Sequence, residues 1–268
     1  MKNRLRCVSS VAGFVLLLAT GLLHAAEIGV VFLHAKGATP DARPTAGLIS
    51  TMRAEGMEVV VPELPWSSSR GYDASYQDAL KQVHEAVQTL RAKGTKTVIV
   101  AGHSLGANGA IGYAANYEGA NGVVAIAPGH SPELRGFQKR LGESVARARA
   151  MVDAGEGSKP AEFKDVNQGT TSAVKTSPAV YLSYFDPEGP AVMPNNAMDM
   201  KDGTALLWIV GKEDRMAKLG RDYAFSMASA HDLSAYVVVA GGHKDTPSEG
   251  EQEIIAWIKR VAAATQQR

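Results

Sequence analysis

Along most of this chain, apolar runs of strand length alternate with longer stretches of helical period. Residues 28–34, 58–61, 97–101, 122–127, 205–210 and 235–239 are short and rich in Val, Ile, Leu and Ala, as strands buried on both faces require. Helical patterns fall between them: 46–54, then 75–92 with Leu80, Val83, Val87 and Leu90 on one face, then 105–117 with Ala107, Ala110, Ile111 and Ala114. Another helix is expected near 219–229, and a last one over 249–263 turns Ile254, Ile255, Ile258 and Val261 inward. Strands separated by helices predict a mainly parallel sheet of about six strands with helices on both faces, a three-layer α/β/α fold. Residues 128–202 break the rhythm. They hold a charged helical stretch over 132–153, a loop rich in Gly, Ser, Lys and Thr, and the segment Tyr181-Leu182-Ser183-Tyr184-Phe185. This is expected to be an insertion, spanning about 130–203, in a single domain with no internal repeat.

The first residues change the picture of where the chain works. Lys2, Arg4 and Arg6 precede an apolar run over 11–23 and then His24-Ala25-Ala26, the pattern of a secretory signal cut near residue 25. Its apolar core of roughly a dozen residues is short of the ~20 that span a bilayer. The expectation is residues 1–25 as signal, 26–268 as the working domain, a periplasmic or secreted location and no stable membrane span after cleavage. Cys7, the single cysteine, lies within that signal, so disulfides, cysteine-ligated zinc and cysteine nucleophiles are excluded from the mature chain. Loss of the three cations takes the formal charge from +1 to −2. A near-neutral chain without basic runs argues against a nucleic-acid partner, and nothing in the sequence implies a protein partner.

Chemistry concentrates at Gly102-His103-Ser104-Leu105-Gly106, where the β-branched run over 97–101 meets the helix over 105–117. A serine at such a junction sits on a strained turn with its hydroxyl above the sheet, and the flanking glycines let strand and helix approach closely. A serine hydroxyl needs a base, a group that orients the base, and donors for a developing oxyanion. In a parallel sheet the C-terminal strand ends lie on one edge, so polar residues just past a strand are the ones to search. Asp214 follows the run over 206–210, and His243 follows the run over 237–240. Glu213, beside Asp214, is the competing acid.

In this order and strand context the chain resembles the alpha/beta hydrolase superfamily over nearly its whole mature length. The resemblance implies Ser104 as nucleophile, His243 as general base and then acid, and Asp214 as the carboxylate that orients it. Gly211-Lys212-Glu213-Asp214 reproduces the family's usual Gly-x-x-Asp loop. Backbone N–H groups of Leu105 and Lys36 would form the oxyanion hole, the Ala35 N–H being the alternative to that of Lys36; Ala35 stands where the family's His-Gly-x turn has glycine. His34 is expected to pack beneath that loop, His103 to be the variable elbow residue, and His84 and His231 to be structural. No metal site is supported and no cofactor is called for.

The expected reaction is cleavage of a carboxylic ester through an acyl-serine, a carboxylesterase-type activity on a small-molecule ester. Thioester, lactone and amide cleavage and acyl transfer stay open on the same residues. The competing class is a catalytically silent relative that binds a small molecule or protein in its cleft, against which the intact set of candidate residues argues. Specificity is expected in the insertion. Trp66, His130 and Tyr184 are the candidate substrate-binding residues, His130 because it follows the strand over 122–127, and the aromatics, Trp66 in the loop after the second strand and Tyr184 in the insertion, as lining for an apolar pocket; packing of cap against core is the alternative for the aromatics.

Overall fold

The computed structural model describes residues 27–267; the predicted signal over residues 1–25 lies outside them. Six strands, β1 (Ile28–Leu33), β2 (Glu58–Val60), β3 (Thr97–His103), β4 (Gly122–Ile126), β7 (Ala205–Gly211) and β8 (Ala235–Val239), form one sheet in the order β2-β1-β3-β4-β7-β8. Every pairing in it is parallel. Alternation along the central strands explains their continuous apolar runs. Val31, Leu33, Val98, Val100, Val123, Ala125, Leu206 and Trp208 face one core, while Val30, Phe32, Ile99, Ala101, Val124, Ile126, Leu207 and Ile209 face the other.

Helices α1 (Arg43–Ala54) and α8 (Glu251–Gln266) cover the second face with Leu48, Ile49, Met52, Ile254, Trp257 and Ile258. The first face is covered by α2 (Tyr76–Ala92) and α3 (Leu105–Asn116). A reciprocal capping box between Ser75 and Asp78 starts α2, satisfying two amides that the helix itself leaves unpaired. All of α3 from Leu105 to Ala115 is buried, which its run of alanines and glycines permits. Gly109 and Gly112 leave berths for aromatic rings: a Cβ on Gly109 would lie 3.0 Å from the Trp66 ring, and one on Gly112 would collide with the Tyr76 hydroxyl.

The insertion between β4 and β7 holds α4 (Arg135–Asp153), the antiparallel hairpin of β5 (Ala161–Asn167) and β6 (Thr170–Thr176), α5 (Pro178–Phe185) and α6 (Met193–Met198). The expected loop is therefore partly a hairpin, and the aromatic segment is a short helix. Another correction concerns the helix expected near 219–229. It is three short 3₁₀ turns, Arg215–Leu219, Arg221–Tyr223 and Phe225–Met227, broken where Gly220 takes φ +67°. After β8 comes the single turn α7 (Thr246–Glu249). No helix among the described residues is long and apolar enough to cross a membrane. The chain reverses its direction of progress across the sheet between β1 and β3, so the loops after these two adjacent strands open a crevice at the C-terminal edge.

Candidate active site

Ser104 occupies that crevice at the junction of β3 and α3, with φ +60° and ψ −118°. A non-glycine residue in such a conformation stores about 1–3 kcal/mol of strain, and its surroundings fix it there. The Ser104 N–H donates to Ile126 O at 3.0 Å, and its carbonyl accepts from Ala107 and Gly129 N–H groups. A Cβ on Gly102 would be driven into the Gly106 carbonyl, and one on Gly106 into the carbonyl of Leu33. Both glycines are thus required by close approach, as the sequence pattern predicts.

The loops after β7 and β8 bring the partners. His243 Nδ1 stands 2.6 Å from Asp214 Oδ2 and its Nε2 2.9 Å from Ser104 Oγ. An ionised carboxylate only accepts, so Nδ1 carries the proton and the bare Nε2 accepts from the serine hydroxyl. Asp214 is buried and its other oxygen accepts from Met216 N–H at 2.9 Å. Burial raises its pKa, but the hydrogen bonds from His243 and Met216 outweigh this and hold the carboxyl below its ordinary value. Glu213 is exposed and uses its backbone N–H on Gly241 O; the structure brings Asp214, and not Glu213, to the histidine.

Thr246 and His103 hold the His243 loop from two sides. The buried Thr246 hydroxyl donates to Gly242 O at 2.9 Å and accepts from Gly211 N–H at 3.0 Å, joining the loops after β7 and β8. His103 Nε2–H donates to the His243 carbonyl at 2.9 Å. Burial pushes the His103 imidazole down to about 4, so it is neutral near pH 7. His103 is thus more than the variable residue of the elbow, and its place beside the serine on a buried strand is the signal in the sequence that marks it. Asn108, which no sequence motif marks, is a second such residue. Its side chain donates to His130 O and Ala191 O and accepts from Tyr76 O–H, tying the loop beyond β4 to α3.

Among the described residues, the N–H groups of Leu105 and Lys36 donate to no protein acceptor, nor does that of Ala35. Leu105 opens α3, where amide groups and the helix dipole favour negative charge. Below the loop, His34 Nε2 accepts from Leu64 N–H and its Nδ1–H donates to Ala35 O, the packing role expected of it. The Lys36 side chain crosses to the insertion. Its Nζ donates to Asp165 Oδ1 at 2.6 Å and Val166 O at 3.1 Å, with the Phe185 ring 5.1 Å away. Burial lowers the Lys36 pKa and Asp165 works against that shift. Asp165 also accepts from Val166 N–H and Tyr72 O–H, so cap and crevice share one buried polar cluster.

Two chambers meet at Ser104 and His243. The larger, about 420 Å³, extends toward the cap, with Leu134, Phe137, Val166, Met216 and Leu219 as its apolar lining. A smaller one of about 230 Å³ lies against Gly37, Ala38, Ala42 and Pro44. His130 borders the larger chamber, as its place in the sequence predicts. Held at φ +65°, it donates from Nε2 to Tyr184 O at 2.7 Å. Its pKa is pushed well down by burial and then by the Lys36 charge. Trp66 and Tyr184 are corrections. Neither borders a chamber. Trp66 is buried on Gly109 and donates to His34 O at 2.9 Å, while Tyr184 sits in a buried cluster with Tyr72 and Tyr76. Their packing, cap on core, is the alternative that the sequence allowed. No cluster of potential metal ligands occurs among the described residues.

The model of the alpha/beta hydrolase family matches residues 30–257. No curated protein matches the sequence. Among solved structures, the chain is similar to a thermostable carboxyl esterase from Bacillus coagulans, at 14% identity and TM-score 0.63 over 87% of this chain and 90% of that one. It is also similar to a monoacylglycerol lipase from Paleococcus ferrophilus, at 20% identity and TM-score 0.61 over 88% and 94%. An alpha/beta hydrolase from Penicillium gives 15% identity and TM-score 0.64 over 89% and 92%. At these identities the likeness is one of fold.

Proposed function

Because this chain belongs to the alpha/beta hydrolase family, we propose that it is an exported serine esterase that cleaves a small-molecule carboxylic ester through an acyl-serine. The observation that carries the reading is the continuous chain Asp214–His243–Ser104, with separations of 2.6 and 2.9 Å and the serine on a strained turn at the meeting of two chambers. His243 Nε2 takes the Ser104 proton as Oγ bonds to the ester carbonyl carbon, and the carbonyl π pair becomes the oxyanion. The N–H groups of Leu105 and Lys36, which donate to no protein acceptor among the described residues, would receive that charge. The proton on His243 then goes to the alkoxide as the carbon–oxygen bond breaks. Water, deprotonated by the same nitrogen, attacks the acyl-serine and returns the hydroxyl. Asp214 keeps the imidazole in its working tautomer and stabilises the imidazolium. The names of the esterase and lipase that share the fold agree with this chemistry, and the basic, then apolar N-terminus supports export.

Treatment of the mature protein with a fluorophosphonate, followed by peptide mapping, should place the adduct on Ser104. Ser104→Ala should abolish hydrolysis of short p-nitrophenyl esters while leaving thermal unfolding nearly unchanged. An unlabelled serine, or a fully active Ser104→Ala protein, would refute the reading.

A further inference from the structure

Charge is unevenly spread around the cleft. The chain as a whole is balanced, with 28 Lys and Arg against 27 Asp and Glu, yet Lys36, Arg140, Arg215 and Lys244 border the two chambers against one carboxylate, Asp214. Asp214 is committed to His243, and Asp165 behind the wall neutralises Lys36. Arg140 and Arg215 in the larger chamber form no ion pair among the described residues, and neither does Lys244 in the smaller one.

Arg140 has a defined position. From α4 its Nη1–H donates to Gly169 O at 2.8 Å, so the guanidinium is pinned against the tip of the β5–β6 hairpin with its other N–H groups uncommitted. Arg215 comes from the core side, directly after Asp214 and before the chamber residue Met216. A chamber for a plain hydrocarbon chain would need only the apolar lining. This one adds two guanidiniums, whose planar forks match a carboxylate bidentately. We propose that the larger chamber selects esters bearing a second, ionised carboxylate remote from the scissile carbonyl, with Arg140 and Arg215 as the specificity-determining residues. The inference rests on the esterase reading for its kinetic test but not for its binding test.

Two substrate pairs locate the carboxylate on either side of the ester: the p-nitrophenyl monoester of adipate against p-nitrophenyl hexanoate, and 4-acetoxybenzoate against phenyl acetate. In at least one pair the carboxylate member should have the higher kcat/KM at low ionic strength, by about tenfold at most, since Arg140 and Arg215 are both exposed to solvent. Added salt should shrink the ratio, and Arg140→Gln with Arg215→Gln should bring it close to one. Lys139→Gln removes the same charge from an exposed α4 residue that borders neither chamber, and should leave the ratio as it is. Binding of adipate against hexanoate to Ser104→Ala, by calorimetry, reads the chamber without turnover and should show the same selectivity. The proposal is overturned if neither pair nor the binding shows a preference, if the double variant keeps it, or if Lys139→Gln removes it as effectively. Absence of turnover and of Ser104 labelling, with adipate selectivity intact, would instead overturn the esterase reading alone.

Discussion

Removing one partner of the Lys36–Asp165 pair should expose how far the cap and the crevice depend on each other. The two side chains are 6% and 9% accessible and 2.6 Å apart, so truncating either strands a charge in a site that water scarcely reaches. Such losses cost about 3–5 kcal/mol. Lys36→Met belongs at the lower end, about 3 kcal/mol, because Asp165 still accepts from Val166 N–H and Tyr72 O–H. Against a whole-domain stability of about 5–15 kcal/mol this is a large fraction, and for a chain of this size it lowers Tm by about 6–12 °C. Replacing both members, Lys36→Met with Asp165→Leu, removes the stranded charge and should cost less than the two single changes added together. Urea unfolding followed through Trp66, Trp208 and Trp257, all buried, measures each variant at constant pH. Single-variant losses below about 1 kcal/mol that add in the double variant would show a solvent-screened pair and refute the reasoning. The ester rate of the Lys36→Met protein, measured well below its Tm, gives a second reading: because the Lys36 backbone belongs to the proposed oxyanion loop, kcat should fall while KM changes little.

Asp214→Asn should lower kcat by about 10³–10⁴-fold, since an amide facing Nδ1 favours the tautomer whose Nε2–H points at the serine; Glu213→Gln should stay within about twofold, and stopped-flow p-nitrophenol release orders the two. The reverse order would move the role to Glu213. His103 sets a pH dependence of stability whose sign is fixed. Its folded pKa, about 4, lies below the ordinary 6.5, so the unfolded chain binds the extra proton between these values. The contribution is complete above pH 6.5 and is lost as pH falls toward 4, by about 3 kcal/mol. His103→Gln should flatten the fall in urea-unfolding free energy between pH 6.5 and 4, and an unchanged slope would deny the burial argument.

Where the sequence was legible, each residue's neighbours in space were also its neighbours in pattern. The four central strands stood out because both their faces are buried, the half-buried edge strands β2 and β8 because of their short Val-rich runs, and the Ser104 turn because Gly102 and Gly106 have no room for a side chain. Asp214 and His243 could be found because parallel strands bring the residues that follow them to one edge. Trp66 and Tyr184 went astray for a reason that was also written in the chain. A helix with glycine at 109 and 112 invites large rings from elsewhere; Trp66 and Tyr76 take those berths and Tyr184 packs edge-on against both, leaving the chamber wall to Leu134, Phe137, Val166, Met216 and Leu219.

The hairpin was harder, and the cause lies at the centre of the site. Residues 161–167 do alternate, with Phe163 and Asp165 buried between more exposed neighbours, but a carboxylate at an inward position cancels the apolar rhythm by which a half-buried strand is recognised. Asp165 can point inward because Lys36, 129 residues away, reaches it. No local pattern carries that information. The contact that hid β5 in the sequence is the one that sets the hairpin tip over Ser104, and the tip in turn supplies the Gly169 carbonyl that holds Arg140. If Arg140 selects substrate as proposed, specificity is built on a long-range ion pair, and the least legible stretch of the chain is the one that carries it.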